Sequence, residues 1–454
     1  MIELTRKQIH FIRSTIRQGL GITSAKKAPS VTLRASPGGL LIQSTSDKIA
    51  IEYRVEGDFR PDVITLPYEA LQACEGKQND RVGIQQDGDT ITVQWLDGRI
   101  PQSARYSHVE PVEVPAPPSE LTVLDRAFIP AMAEAVDTTD SESTRHALGC
   151  IRLRGSDGQI AATDRYQILT QSGFPFPWDD DVLVPATKAF GTKAFRDAAN
   201  VSIGRSDDWV SIQAGDWTLH LKIEKDARFP NVDEHVVAID SATTTMNLAD
   251  SDAEFLTQAT RKLPAAAEFN APVTVDLNGS VAIRARSADQ ELGTELILSN
   301  SQRSGKELRF NTNRDYLRRA AALGFRQIHL QSADAPAFCR DDRRAYIWAL
   351  LGSEGAITPD AKLTRIKSPS NSPKPAPPNR TTTPMPNSKR STSPRPKVDK
   401  PVSVLAKAEA LRDSLSLALA DTRDLISAIK ARRKQNRLVE TTLRSLKQLE
   451  NIGA

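Results

Sequence analysis

The residues able to do chemistry are spread thinly. Six histidines are scattered without metal-ligand spacing, and three cysteines (Cys74, Cys150, Cys339) lie far apart in a chain of 454 residues. No GxxxxGK[ST] loop, HExxH helix or GxSxG elbow occurs, so phosphate-cradling, zinc-peptidase and serine-hydrolase chemistry have no motif to stand on. One acidic group draws notice: in AATDRYQIL (161–169) the polar run Thr163-Asp164-Arg165 interrupts an alternating apolar pattern. A single carboxylate is no catalytic centre, and no enzyme activity, metal or cofactor is expected. The other chemistry on offer is the attraction of short basic helices for phosphates. Their cations are Arg6, Lys7, Arg13 and Arg17, then Arg126, Lys188, Lys193 and Arg196, then Arg261, Lys262, Arg314, Arg318 and Arg319. Surface helices also carry Lys and Arg routinely, so the group carries the reading and no single member does. No base-reading motif is present, which points away from sequence-specific DNA binding.

The elements positioning these groups repeat. A strand, a Pro, Asn or Thr near a helix start and a short helix read as VITLPYEALQAC (63–74), VLVPATKAFGTKAF (182–195) and LRFNTNRDYLRRAAAL (308–323). Their starts, Pro67, Pro185 and Thr312, are 118 and 127 residues apart. Proline sits without loss in a first helical turn, and Thr and Asn are good N-caps. A second helical pattern precedes each: 4–16, 124–136 and 252–263. The polar interruption recurs as well, at Ser46-Asp47, Thr163-Asp164 and Ala288-Asp289, with aspartates 117 and 125 residues apart. It is therefore read as a turn between two strands, where short polar residues fit. The expected fold is α+β: three tandem domains over 1–118, 119–243 and 244–354, each with two helices packed on antiparallel sheets.

Charge divides the chain. Residues 361–454 hold 20 Lys+Arg against 7 Asp+Glu, which leaves 40 against 49 for residues 1–360, so an overall +4 hides an acidic body and a basic tail. Such a tail suits nucleic acid or an acidic partner, and equally a solvated linker. Residues 355–400 are expected to be a disordered Pro/Ser/Lys/Arg-rich linker, with too few apolar groups from 366 onward to offset ordering entropy. Residues 401–452 carry a helical apolar stripe from Val404 to Leu449, broken by the basic run 430–437. No run of 18 apolar residues exists, the N-terminus lacks a signal-peptide pattern, and the cysteines fit a reducing, cytoplasmic setting.

These stretches together resemble the bacterial DNA polymerase III beta subunit, the sliding clamp. LKIEKDARFPNVDEHV (221–236) is similar to that family's strand and R-F-P loop, ATDRYQIL (162–169) to its A-T-D-x-x-R-L turn, and RRAYIWALL (343–351) to its final strand. The resemblance covers about 1–352 and implies a homodimeric ring. Domain one closes on domain three of a second copy, helices line the hole, duplex DNA passes through without sequence preference, and the polymerase is tethered to it. It further implies an apolar pocket for peptides of polymerase and clamp loader between domains two and three. The corresponding residues are Thr163, Tyr166, Gln167 and Ile168 at the turn, Val236 and Val237 on the connector, and Ile347 and Ala349 at the end; Ile168, Val237 and Ile347 also read as ordinary core.

The sequence departs from the family at several points. Arg165-Tyr166-Gln167 stands where the family has Gly-His-Arg, and Trp348-Ala349 brings no methionine to the pocket. KLPAAAEF (262–269), read as the interface-facing part of a helix, offers little apolar area for closing a ring. Pro130 should kink or shift the first helix of domain two. SLSLA (414–418) and QLENI (448–452) loosely resemble the family's partner peptide, so the tail is a candidate to dock into its own or a neighbour's pocket, although these leucines also fit the helix stripe. The alternative function is a clamp-derived scaffold or regulator that forms no ring and binds DNA or proteins through the basic tail and terminal helix.

Overall fold

The computed structural model describes residues 1–23, 28–140, 147–287, 292–360 and 362–370. Residues 1–374 form one compact unit. The expected terminal helix, both tail peptides and the Ala288-Asp289 turn lie outside the described residues.

Three sets of elements follow one another. The first holds β1 (Ile2–Thr5), α1 (Arg6–Gly19), β2 (Ser30–Ser36), β3 (Gly39–Thr45), β4 (Ile49–Val55), β5 (Asp62–Pro67), α2 (Tyr68–Cys74), β6 (Arg81–Asp87), β7 (Thr90–Asp97) and β8 (Ile100–Ser107). The second holds β9 (Thr122–Leu124), α3 (Phe128–Val136), β10 (Cys150–Arg154), β11 (Gln159–Thr163), β12 (Gln167–Gln171), β13 (Asp181–Pro185), α4 (Lys193–Arg196), β14 (Val201–Arg205), β15 (Trp209–Ala214) and β16 (Trp217–Lys222). The third holds β17 (Thr244–Asn247), α5 (Asp250–Ala259), β18 (Pro272–Asp276), β19 (Ala282–Ala285), β20 (Gly293–Ile297), β21 (Gln302–Gly305), β22 (Arg309–Asn313), α6 (Arg314–Ala322), β23 (Gln327–Leu330), β24 (Ala337–Arg340), β25 (Arg344–Trp348) and β26 (Leu363–Lys367).

Each set builds a meander sheet (β5-β2-β3-β4, β13-β10-β11-β12, β22-β18-β19-β20) and a second sheet ending in a closing strand, β8, β16 or β25. The sets are joined by continuous sheets. The meander's third strand pairs antiparallel with the next set's closing strand: β4 with β16 (Ile51↔Leu219) and β12 with β25 (Leu169↔Tyr346). Backbone groups at these edges are thereby satisfied inside the chain rather than left as pairing templates. One apolar core runs through the first two sets, from Ile9, Ile12 and Ile16 of α1 to Phe190, Phe195 and Trp217. Tyr53 and Trp217 stack across the joint with centroids 4.4 Å apart. A second core fills the third set and takes in Leu169 of the second.

Helix ends obey local chemistry. Thr5 caps α1 in a reciprocal capping box with Gln8, and Asn313 caps α6 through Asp315 N. Pro130 does not kink α3: the helix begins only at Phe128, so Pro130 falls in its first turn, where no backbone donor is needed. The second helix of the middle set is shorter than its sequence pattern suggests. It breaks at Thr192 into a 3-10 turn (Lys188–Gly191) and the single turn of α4.

Two expectations are corrected. KLPAAAEF is not helical: α5 passes into a 3-10 turn that ends at Lys262, and a loop follows with positive φ at Ala265, Asn270 and Ala271. Pro264 cannot supply the hydrogen bond that would carry the helix on. The second correction is to the linker, whose first part is ordered. Residues 363–367 form β26, parallel to β20, because Leu363 and Arg365 find partners there that the polar composition hides.

Candidate nucleic-acid interface and partner seam

The interruption at Thr163-Asp164-Arg165 is the turn between β11 and β12, with Arg165 at φ 85°. Asp164 closes it. Its carboxylate accepts from Tyr166 N (2.8 Å), Gln167 N (2.9 Å), Gln167 Nε2 (2.8 Å) and the Tyr316 hydroxyl of α6 (3.4 Å). Thr163 donates its hydroxyl to Gln167 O at 2.7 Å and accepts from Arg165 N at 3.0 Å. The aspartate is thus a backbone cap. Burial first, and the Asp164 carboxylate second, push the Tyr316 hydroxyl well above the ordinary phenol range.

Six of the eight expected pocket residues meet at the β12–β25 seam. Ile168 pairs with Ile347 and Gln167 with Trp348, and Ala349 N donates to Tyr166 O at 2.8 Å. Within the seam Thr163, Gln167 and Ile347 are buried, whereas Tyr166 is 55% exposed and Ala349 is open. The accessible surface is therefore an aromatic ring beside a strand end. Val236 and Val237, half-buried, stand on the connector instead. They follow a 3-10 turn (Asp233–His235) that Arg152 and Arg154 of β10 anchor through Asp233 at 3.1 and 2.8 Å.

Three residues take seam roles that sequence reasoning did not give them: Tyr346, Trp348, read only as bringing no methionine, and Arg319, expected among the DNA-facing cations. Tyr346 donates to Gln167 Oε1 at 2.7 Å, and Trp348 Nε1 donates to Thr312 Oγ1 at 3.0 Å. Arg319 of α6 reaches across to Glu134 O, Asp137 O and Thr138 Oγ1 beside α3. Only the partner side of each bond gives these polar tips a role, and the sequence does not reveal it. At the other end of the seam lies a cavity of about 440 Å³, lined among others by Pro130, Glu134, Phe174 and Arg343.

The other twelve basic residues separate into three groups. Lys7, Arg17, Arg126, Lys188, Lys193, Arg196, Arg261 and Lys262 are exposed, among them Arg126, which donates to Ala199 O at 3.1 Å. Arg13 and Arg318 are partly covered: Arg13 is held by Glu75 at 2.6 Å, and Arg318 lies 3.5 Å from Asp315. Arg6 and Arg314 are corrections. Arg6 donates to the carbonyls of Cys74, Glu75 and Leu96 and pairs with Asp97 at 3.0 Å. Arg314 is 1% exposed and donates to the carbonyls of Thr260, Leu263, Pro264, Ala271 and Pro272. Both guanidiniums tie backbone carbonyls and cannot meet a phosphate. Burial pushes the thiols of Cys74 and Cys150 up to about 12 and about 11, so neither is a nucleophile at neutral pH.

This architecture is that of DNA polymerase III beta sliding clamps. The chain superposes on the DNA polymerase III subunit beta from Pseudomonas aeruginosa with a TM-score of 0.62, over 77% of this chain and 99% of that one, at 18% identity. A sliding clamp from the same organism bound to griselimycin gives 0.62, 77%, 98% and 17%. The beta chain from Streptococcus pneumoniae gives 0.62, 77%, 98% and 13%. At such identities the likeness is one of fold. No protein-family model and no curated protein matches the chain.

Proposed function

We propose that the chain is a DNA sliding clamp, a non-catalytic processivity factor of DNA replication that holds duplex DNA by topology and tethers polymerase to it. The observation carrying this reading is the threefold repeat of meander, closing strand and short helices, shared with the clamps over nearly their whole length. The eight exposed cations are the DNA-facing set: on an acidic body they attract phosphates without fixing a register, which leaves the protein free to slide. The β12–β25 seam, with Tyr166, Ile168 and Ala349 as its reachable part and Val236 and Val237 beside it, takes the partner peptide. Such peptides come from polymerase and clamp loader. The clamp acts as a homodimer in a reducing compartment, the cytoplasm, in keeping with three free, buried cysteines.

A truncation tests the reading. Residues 1–374 are one compact unit, so a chain ending at Lys374 keeps the fold and loses the basic tail. The clamp reading expects the dimeric fraction of this chain to stay on nicked circular DNA in a gel-filtration run and to leave once the circle is cut. If DNA binding disappears with the tail, and with it the salt dependence, the chain is a tail-driven scaffold that forms no ring.

A further inference from the structure

The outer edge of β20 is occupied by the chain's own β26, and the repeat shows what else that edge fits. At both joints inside the chain, the third meander strand takes the closing strand of the following domain: β4 takes β16 and β12 takes β25. β20 is the third such strand, and no fourth domain follows among the described residues. The closing strand left over is β8, which lies at the end of its sheet with one edge unpaired among the described residues.

The path into β26 repeats the connectors as well. After the first domain, Val112 N donates to Thr32 Oγ1 at 2.9 Å and Arg34 reaches Val112 O at 3.4 Å. After the third, Ile357 N donates to Thr274 Oγ1 at 2.9 Å and Arg284 reaches Ile357 O at 3.1 Å. The first strap leads on to a new domain, whereas the second turns back to β20. β26 then supplies what a closing strand supplies. Glu52 of β4 receives a hydrogen bond from His220 of β16 at 2.8 Å, and Glu295 of β20 receives one from Arg365 of β26 at 2.7 Å. Leu363 covers Gly293, where any side chain would collide with it. Ser368 N donates to Ile297 O, and Asn300 Nδ2 binds Pro369 O.

We infer that Leu363–Lys367 is an intramolecular plug: it holds the β20 edge in the place of β8 from a second copy of this chain, and must leave before two copies can join there. This rests on the clamp reading and adds to it a self-pairing strand that competes with ring closure. β26 is parallel, whereas both internal joints are antiparallel, so the plug and a closing strand use the same edge groups in opposite directions and exclude each other.

The test uses the full chain carrying Ser103→Cys in β8 and Thr294→Cys in β20, treated with a bismaleimide. The native cysteines are buried. Adding Leu363→Asp and Ile366→Pro opens the edge, and covalent dimer should rise about tenfold if the plug holds the edge in nine chains of ten. Equal, high yields in both backgrounds overturn the plug and leave the clamp reading standing; no dimer in either overturns both. A second variant needs no weakened strand. Thr294→Cys with Thr364→Cys, placed on registered partners, locks β26 when oxidised. In the chain ending at Lys374, light scattering should give monomer when oxidised and a growing dimer share when reduced. A mass unchanged by reduction refutes the plug.

Discussion

Arg314 offers the sharpest test of how the cations divide. Its guanidinium is the donor for five backbone carbonyls, those of Thr260, Leu263, Pro264, Ala271 and Pro272. Arg314→Ala removes every one of these bonds. A bond from a charged donor contributes about 1.5–3 kcal/mol, and a deserted buried carbonyl loses more than one that water can reach. Five full penalties would exceed the stability of most domains. The space left by the side chain admits water to part of the set, which brings the expected loss to about 3–4 kcal/mol, the upper range for a single substitution. With a urea slope near 2 kcal/mol per molar, the unfolding midpoint of the transition that reports the third domain should fall by about 1.5–2 M. Arg314→Lys should recover only part, because a compact ammonium cannot fork to five acceptors. DNA affinity measured below the new midpoint should not change. A midpoint shift corresponding to less than about 1 kcal/mol, or a selective loss of DNA binding, would refute the structural assignment and return Arg314 to the DNA-facing group.

Substituting Arg17, Lys193, Arg261 and Lys262 together with Ala should leave urea unfolding nearly unchanged and flatten the salt dependence of DNA binding, by up to about 0.9 in the log–log slope for each phosphate no longer neutralised; an unchanged slope would remove these helices from the interface. Asp164→Ala should lower stability by about 1–2 kcal/mol through the loss of the turn cap, seen in thermal unfolding, whereas Tyr166→Ala should leave stability alone and weaken binding of a partner peptide read by fluorescence anisotropy. Acid should unfold the third domain early. Burial opposes ionisation of Asp276, but the hydrogen bond from Arg284 leads those that outweigh it, and its pKa falls below the ordinary value. Burial likewise opposes ionisation of Asp252, and hydrogen bonds from Ser368, Ser301 and Asn300 outweigh it. Groups with depressed folded pKa values add stability that is complete above the unfolded value, near 4, and is lost as pH drops through the folded one. Stability should therefore be flat from neutral pH to about 5 and fall below about 4, and Asp276→Asn should remove part of that fall.

The repeat was legible in the sequence because helix starts and strand turns depend on local chemistry. Pro67 and Asn313 stand at their caps, and Asp164 caps the turn whose interruption pointed to it. Burial of individual cations was not legible. Arg6 and Arg314 each open a helix, where an arginine normally meets water. What encloses them is distant in sequence: Glu75 and Leu96 for one, the 260–272 loop for the other. β26 was hidden for the same reason, since LTRIK beside a proline-rich segment has no strand signal of its own and is held by residues about 70 positions away, Glu295 among them. The seam was half legible. The turn and final strand were recognisable as pieces, but Tyr316, Arg319 and Tyr346 act through partners in another domain.

The central claim is that this chain holds DNA by encirclement, and the most direct measurement is retention on DNA circles before and after linearisation, made with the full chain whose edge is opened by Leu363→Asp and Ile366→Pro. Encirclement predicts that the protein co-elutes with nicked circles at a salt concentration that strips ordinary cationic binding, and that one restriction cut releases it. Equal release from circles and linear DNA across the salt range would contradict the account.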